Sequence, residues 1–167
     1  MTDPVLIETG GFEVWEPPVA ERGDYFRVTG LLEQLVGQPC DPRIAVIPGE
    51  PPSKGRPRAT IRNGKIQTYT PAETRKAEKR LAWQLRTLGH HPTGPLAVAI
   101  LFYRSSAHRV DIDNLQKACL DAATMARVWS DDSQVKALAA ILQVDRAAPR
   151  IVCALAQIPT PQLEIPA

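Results

Sequence analysis

No apolar run in this 167-residue chain approaches the roughly 20 residues that a membrane-spanning helix needs. No charged-then-apolar start marks it for export, so the expected setting is the cytoplasm. The three cysteines, Cys40, Cys119 and Cys153, are odd in number, far apart and in no CxxC arrangement. That spacing argues against a disulfide framework and against a Cys/His zinc site, and it predicts reduced thiols with Cys119 and Cys153 buried. There is no glycine-rich phosphate loop to hold a nucleotide.

Net charge is also small, +2, but the sum hides a strong partition. Residues 1–50 carry nine acidic and three basic side chains, residues 51–110 two acidic and twelve basic, and residues 111–167 seven acidic and five basic. A block of net charge +10 in the middle of the chain is an electrostatic footprint for a polyanion, most simply nucleic acid. Arg75, Lys76, Lys79 and Arg80 within it read equally as the solvated face of a basic helix.

The length suits one globular domain with a real core. Residues 1–41 are acidic, rich in breakers and offer one short helical candidate, Gly30–Val36; they read as an N-terminal arm or appended subdomain. Regular structure is expected from a strand at Arg43–Ile47, followed by a turn in which Pro48, Pro51, Pro52 and Pro57 exclude helix. Ala59–Arg62 and Lys65–Tyr69 flank Asn63-Gly64, a strong hairpin signal because both positions accept positive φ. Thr70-Pro71-Ala72-Glu73 is a capping box with proline at the first helical position, and it opens a helix to about Leu88. Ala77, Leu81, Leu85 and Leu88 share one face of that helix. Gly89 and Pro92 end it, with His90 and His91 in the exit loop.

Pro95–Arg104 is a continuous apolar run of strand length and predicts a buried central strand. A helix over Asn114–Arg127 is expected to be capped by Asp113 and to bury Leu115, Ala118, Ala122 and Met125. Val135–Val144 and Arg150–Ile158 look like an antiparallel pair that closes the sheet. Residues 161–167 are expected to form a loose C-terminal tail. The order β-β-β-α-β-α-β-β makes an α+β fold: a single domain over 42–160, a mixed β-sheet with two main helices packed on it and an N-terminal extension.

The run RVDIDNLQKACLDAATMARVWSDDSQV over 109–135 carries the chemistry. Asp111 and Asp113 stand two apart at a helix entrance, Lys117 follows one turn later, and Asp131 and Asp132 lie beyond the helix. Mg²⁺ prefers hard oxygen ligands, usually a few carboxylates and water, so the aspartates suit it, with Mn²⁺ expected to substitute. A divalent ion offsets what makes a phosphodiester resistant, namely its charge and its poor leaving group. Lys117 is placed to touch a non-bridging phosphate oxygen or the attacking water. Asp132 completes such a site only if the chain folds back there. The bland readings are that Asp113 is only a helix cap and that Asp131-Asp132 is only a turn. A bare DxD also occurs in transferases that hold a nucleotide through a metal.

IPGEPPSKGRPRA, the TYTP helix start, VDIDNLQKACLDA and WSDDSQV resemble the corresponding blocks of the RusA family of Holliday junction resolvases, common in phages and prophages. The likeness runs from about Ile44 to Ile158 with the motifs in order, and DxDNLxK followed by DDxQ is quite specific. It implies a small α+β homodimer in which each subunit nicks one strand of branched DNA with Mg²⁺. The family's catalytic, metal-holding aspartates fall on Asp111, Asp113 and Asp132, and its essential lysine on Lys117. A two-fold dimer suits the near two-fold symmetry of a four-way junction. Lys54, Arg56 and Arg58 are expected phosphate contacts. Arg62, Lys65, Arg104, His108 and Arg109 are second-rank DNA contacts. Two alternatives stay open: a branched-DNA binder without cleavage, and a less structure-selective metal-dependent nuclease. The acidic stretch over 1–41 departs from the family pattern; it either lies over the basic surface, packs at a dimer edge or hangs free.

Overall fold

The computed structural model describes residues 19–53, 58–62, 65–69, 72–91 and 93–159; of 19–21 and 58–69 the backbone alone is described. The elements are α1 (Val19–Val36), β1 (Arg43–Pro48), β2 (Arg58–Arg62), β3 (Lys65–Tyr69), α2 (Ala72–Leu85), β4 (Leu96–Arg104), α3 (Ile112–Met125), β5 (Val135–Val144) and β6 (Arg150–Gln157). Short 3₁₀ turns occupy Arg86–Leu88 and Asp132–Gln134. The α+β class, the mixed sheet and the order of strands along the chain agree with the sequence reading. No helix among the described residues is long and apolar enough to cross a membrane.

The main sheet has the order β1-β6-β4-β5, with β4 and β5 parallel and the other pairs antiparallel. β5 and β6 are therefore not neighbours, contrary to the hairpin expected of them: β4 lies between, bonded to both. The reason is β4 itself, whose first eight residues are all buried. A run apolar on both faces belongs in the sheet interior, with partners on each side. The turn from β5 to β6 is held by Asp145, whose Oδ1 accepts from the N–H groups of Ala147 and Ala148 while Oδ2 accepts from Arg150. β2 and β3 form a separate two-stranded ribbon, with Arg62 opposite Lys65. The Asn63-Gly64 turn between them lies outside the described residues.

Side chains alternate across a strand, so β4 supplies both cores. Leu96, Val98, Ile100 and Phe102 pack with Leu81, Leu85 and Leu88 of the α2 segment, and with Leu115, Cys119 and Ala122 of α3. Ala97, Ala99, Leu101 and Tyr103 face the other way, with Val152, Ala154 and Ala156 of β6, against Val28 and Leu32 of α1. The result is three layers, with a third main helix where two were expected. α1 starts at Val19, eleven residues before the Gly30–Val36 candidate. The alanines on that sheet face let its backbone approach closely.

Two further differences are local. Met125 is 53% exposed rather than buried: it ends α3, the chain reverses at Arg127 (φ 60), and Trp129 takes the core position. The α2 helix stops at Leu85, and a 3₁₀ turn carries Leu88 into the core before Gly89 (φ 77) ends it. Cys119 and Cys153 are buried free thiols, as expected. The hydrogen bond between them and their burial push the Cys153 thiol well above the ordinary range.

Candidate active site

The loop between β4 and α3 sets the position of the first two aspartates, and a clamp sets the loop. Arg104, the last residue of β4, donates from Nε to Glu50 Oε1 (2.9 Å) and from Nη1 to the His108 carbonyl (2.7 Å). Glu50 Oε2 accepts the Ser105 N–H at 2.8 Å, tying the segment after β1 to the same loop. Burial pushes the Glu50 carboxyl up, but hydrogen bonds from Ser105 and Arg104 outweigh it and hold the group below its usual range. Arg104, expected as a DNA contact, thus has its guanidinium engaged within the protein, with 17% of its side chain exposed.

Asp111, not Asp113, is the N-cap of α3, with extended backbone at φ −82, ψ 126. Its side chain makes no capping hydrogen bond, and the Asn114 N–H is taken by the Asp111 carbonyl instead. An aspartate at that position ordinarily accepts from the first turn, so this carboxylate is left available. Asp113 sits in the first turn, 59% exposed, with Lys117 Nζ 3.4 Å from its Oδ2. At that exposure the ion pair adds little stability, so the fold does not account for it. Asp111 and Asp113, hard oxygen donors at the exposed mouth of a helix, fit a Mg²⁺ ion that keeps much of its water.

The second acidic pair is divided in its duties. Asp131 caps the turn over Asp132–Gln134: its carboxylate accepts the Ser133 N–H at 2.9 Å, and hydrogen bonds from the Ser133 side chain and backbone hold it below the usual carboxylate range. Asp132 is exposed, and its side chain makes no comparable bond among the described residues. Gln134, which the motif DDxQ contains but to which no role had been given, fixes the turn. Its Oε1 accepts from the N–H of Ser130 (2.8 Å) and Asp131 (3.3 Å), and its Nε2 donates to the carbonyls of His91 and Gly94. The signal was the glutamine's place three residues after a cap.

The two acidic centres do not meet within one chain. β4 and β5 run parallel, Asp111 follows the end of β4, and Asp132 precedes the start of β5. The 14-residue α3 that joins them spans about 21 Å. Among the described residues no three His, Cys, Asp or Glu side chains come together as a metal-binding group. Of the basic candidates, Lys54 and Arg56 lie outside the described residues, while Arg58 and Arg62 lie on β2 and Lys65 on β3. His108 and Arg109 are exposed in the loop just before Asp111.

The chain is thus an α+β domain with a carboxylate pair and a lysine exposed at the start of α3. A family model described as endodeoxyribonuclease RusA matches residues 48–155, and the chain belongs to that family. It is 31% identical over 112 residues to the uncharacterized protein YqaN of Bacillus subtilis (strain 168), covering 52% of this chain and 77% of that protein. It is 46% identical over 41 residues to the crossover junction endodeoxyribonuclease RusA of Escherichia coli (strain K12), covering 25% of this chain and 34% of that protein. The same protein of Shigella sonnei (strain Ss046) gives the same figures. This chain thus spans about a third of the length of those resolvases.

Proposed function

We propose that this chain is a Mg²⁺-dependent endodeoxyribonuclease that resolves four-way junctions, or related branched DNA, by paired nicks, acting as a cytoplasmic homodimer. The observation that carries the reading is the Asp111–Asp113 pair. Inside the segment matching the family, two carboxylates stand exposed, Asp111 without a capping hydrogen bond and Asp113 in a solvent-exposed pair with Lys117, and helix stability accounts for neither. When bound, the metal neutralises phosphate charge, helps deprotonate water and stabilises the departing oxygen. Asp111 and Asp113 would hold it. Lys117 would steady a non-bridging phosphate oxygen or the attacking water. Lys54, Arg56, Arg58, Arg62 and Lys65, with His108 and Arg109 at the site, would carry the DNA backbone. Arg104 would act by holding their loop.

Asp132 enters this reading through a second copy. β5 is an edge strand, ten residues long, with half-buried apolar side chains on both faces, neither proline nor glycine, and one charge, Lys136. Edge strands exposed to solvent are normally blunted by more than that. Antiparallel pairing of two β5 edges about a two-fold axis would bring the Asp132 end of each subunit to the Asp111–Asp113 end of the other. Each site would then be built from both subunits, two per dimer, facing two equivalent strands.

The test is cleavage of labelled four-way junctions, forks and linear duplex with Mg²⁺ or with EDTA. Metal-dependent cutting of the junction in preference to duplex is expected. Equal cutting of both defeats the resolvase reading and leaves a nuclease; no metal-dependent cutting of any substrate defeats both.

A further inference from the structure

The outer face of α2 leads to a cleft that the proposed site does not use. Arg75, Lys76, Lys79 and Arg80 are exposed there, and none has an ion-pair partner among the described residues. One turn on, Trp83 is 69% exposed, with the Arg86 guanidinium 5.6 Å from its ring centroid. Beyond it lies a cleft of about 360 Å³ lined by Arg86, Gly89, His90, Ala126 and Arg127, where His90 Nδ1 meets the Arg127 carbonyl at 2.5 Å. Cations at the ends of α2 and α3 answer the helix dipoles, which alone would account for Arg86 and Arg127. The dipole does not account for an indole in water. Nor does it account for arginine at φ 60, a left-handed helix-end position where glycine or asparagine is usual.

We infer that this surface is a track for an unpaired DNA strand, with a base stacked on Trp83 and its phosphates on Arg80, Arg86 and Arg127. An exposed indole flanked by cations recognises the π-face of any base and the charge of the backbone together. Duplex DNA hides its base faces except at ends and branch points, so the track distinguishes opened strands from paired ones. It sits beside the second acidic centre: Arg127 is four residues before Asp131, and the carbonyl of His91, next to His90, accepts from Gln134. The inference rests on the DNA-cleaving reading above.

The experiment measures binding of the full chain in EDTA to a labelled 12-nucleotide oligo(dT) and to a relaxed, covalently closed circular duplex, which has no ends. Trp83→Ala should weaken oligo(dT) binding by roughly five- to 150-fold, the range of one lost base–aromatic stack. It should leave the duplex unaffected, and Trp83→Phe should keep most of the affinity. Three results overturn the inference: unchanged oligo(dT) binding in Trp83→Ala, equal losses on both DNAs, or a changed particle mass that makes Trp83 a subunit contact. Junction cutting by wild type, run alongside, separates the two failures. Cutting that persists while Trp83→Ala binds oligo(dT) like wild type removes the track and keeps the nuclease. Trp83-dependent binding without any cutting does the reverse.

Discussion

At the Asp111 end of the molecule, Arg104 holds the loop through Glu50 and the His108 carbonyl; at the Asp132 end, Gln134 holds the turn through four backbone partners. Each end uses a neighbouring side chain for support and leaves a carboxylate exposed. They differ in completeness. The first end has two exposed aspartates, neither used as a side-chain cap and one paired with a lysine, whereas the second has only Asp132 in that condition, because Asp131 is occupied as a cap. Under the proposed homodimer, the end with one carboxylate contributes to a site on the second subunit, which would bridge the separation across α3.

The largest effect should come from the fuller end. Asp113→Asn is expected to lower junction cleavage by about 100-fold or more, the scale of losing one preorganised electrostatic contact, while junction binding in EDTA is kept. A variant that lost binding and cutting together would make Asp113 a structural residue. Next, Asp113→Asn and Asp132→Asn chains, each inactive alone, should recover about a quarter of wild-type nicking when mixed and allowed to exchange. Half the dimers would be mixed, and each would hold one intact site. No recovery, with exchange confirmed, would return all three aspartates to one chain and break the comparison. Third, Gln134→Ala should cost about 10- to 100-fold in cleavage, the usual penalty when the support of a metal-site residue is lost. Raising Mg²⁺ should partly restore it; full activity would deny that the turn positions anything.

The smallest effect concerns the clamp. The folded protein holds the Glu50 carboxyl below its ordinary value of 4.5, so its contribution to stability is present above that pH and is lost as pH falls through the lowered folded value. Thermal melts of wild type and Glu50→Gln should therefore differ at pH 6 and converge in acid. A difference constant with pH would mean that the Arg104 clamp does not depend on charge.

Much of this was legible in the residues, for reasons that also mark the limit. The apolar run of β4, the Asn63-Gly64 signal and the period of α3 located their elements because each is a local property. Strand order is not local: the segments of β5 and β6 read as a hairpin because they are adjacent in sequence, and only the doubly buried β4 dictates that it stand between them. α1 was read short because its stripe is thin. Val28 and Leu32 are its fully buried apolar residues, and Gly23, Gly30 and a buried Asp24 interrupt the pattern. At the site, the spacing of DxDN and Lys117 is carried within one helix turn and could be read directly. Asp132 lies close in motif order yet a helix length away in space, which no spacing rule reveals.

The packing of α1 changes what the acidic stretch can be asked to do. Asp24 is buried under the sheet face, where Oδ1 accepts the Tyr103 hydroxyl at 2.6 Å and Oδ2 accepts Arg150 at 2.8 Å; the same guanidinium lies 3.8 Å from the Tyr103 ring centroid. Cutting the chain at residue 40 would strip the cover from a face of alanines and leave Arg150 without one of its two carboxylate partners. A cut that keeps α1 whole has to fall ahead of Val19. Without the helix that sheet face has no roof, so α1 is part of the folded body although it lies outside the segment that matches the family.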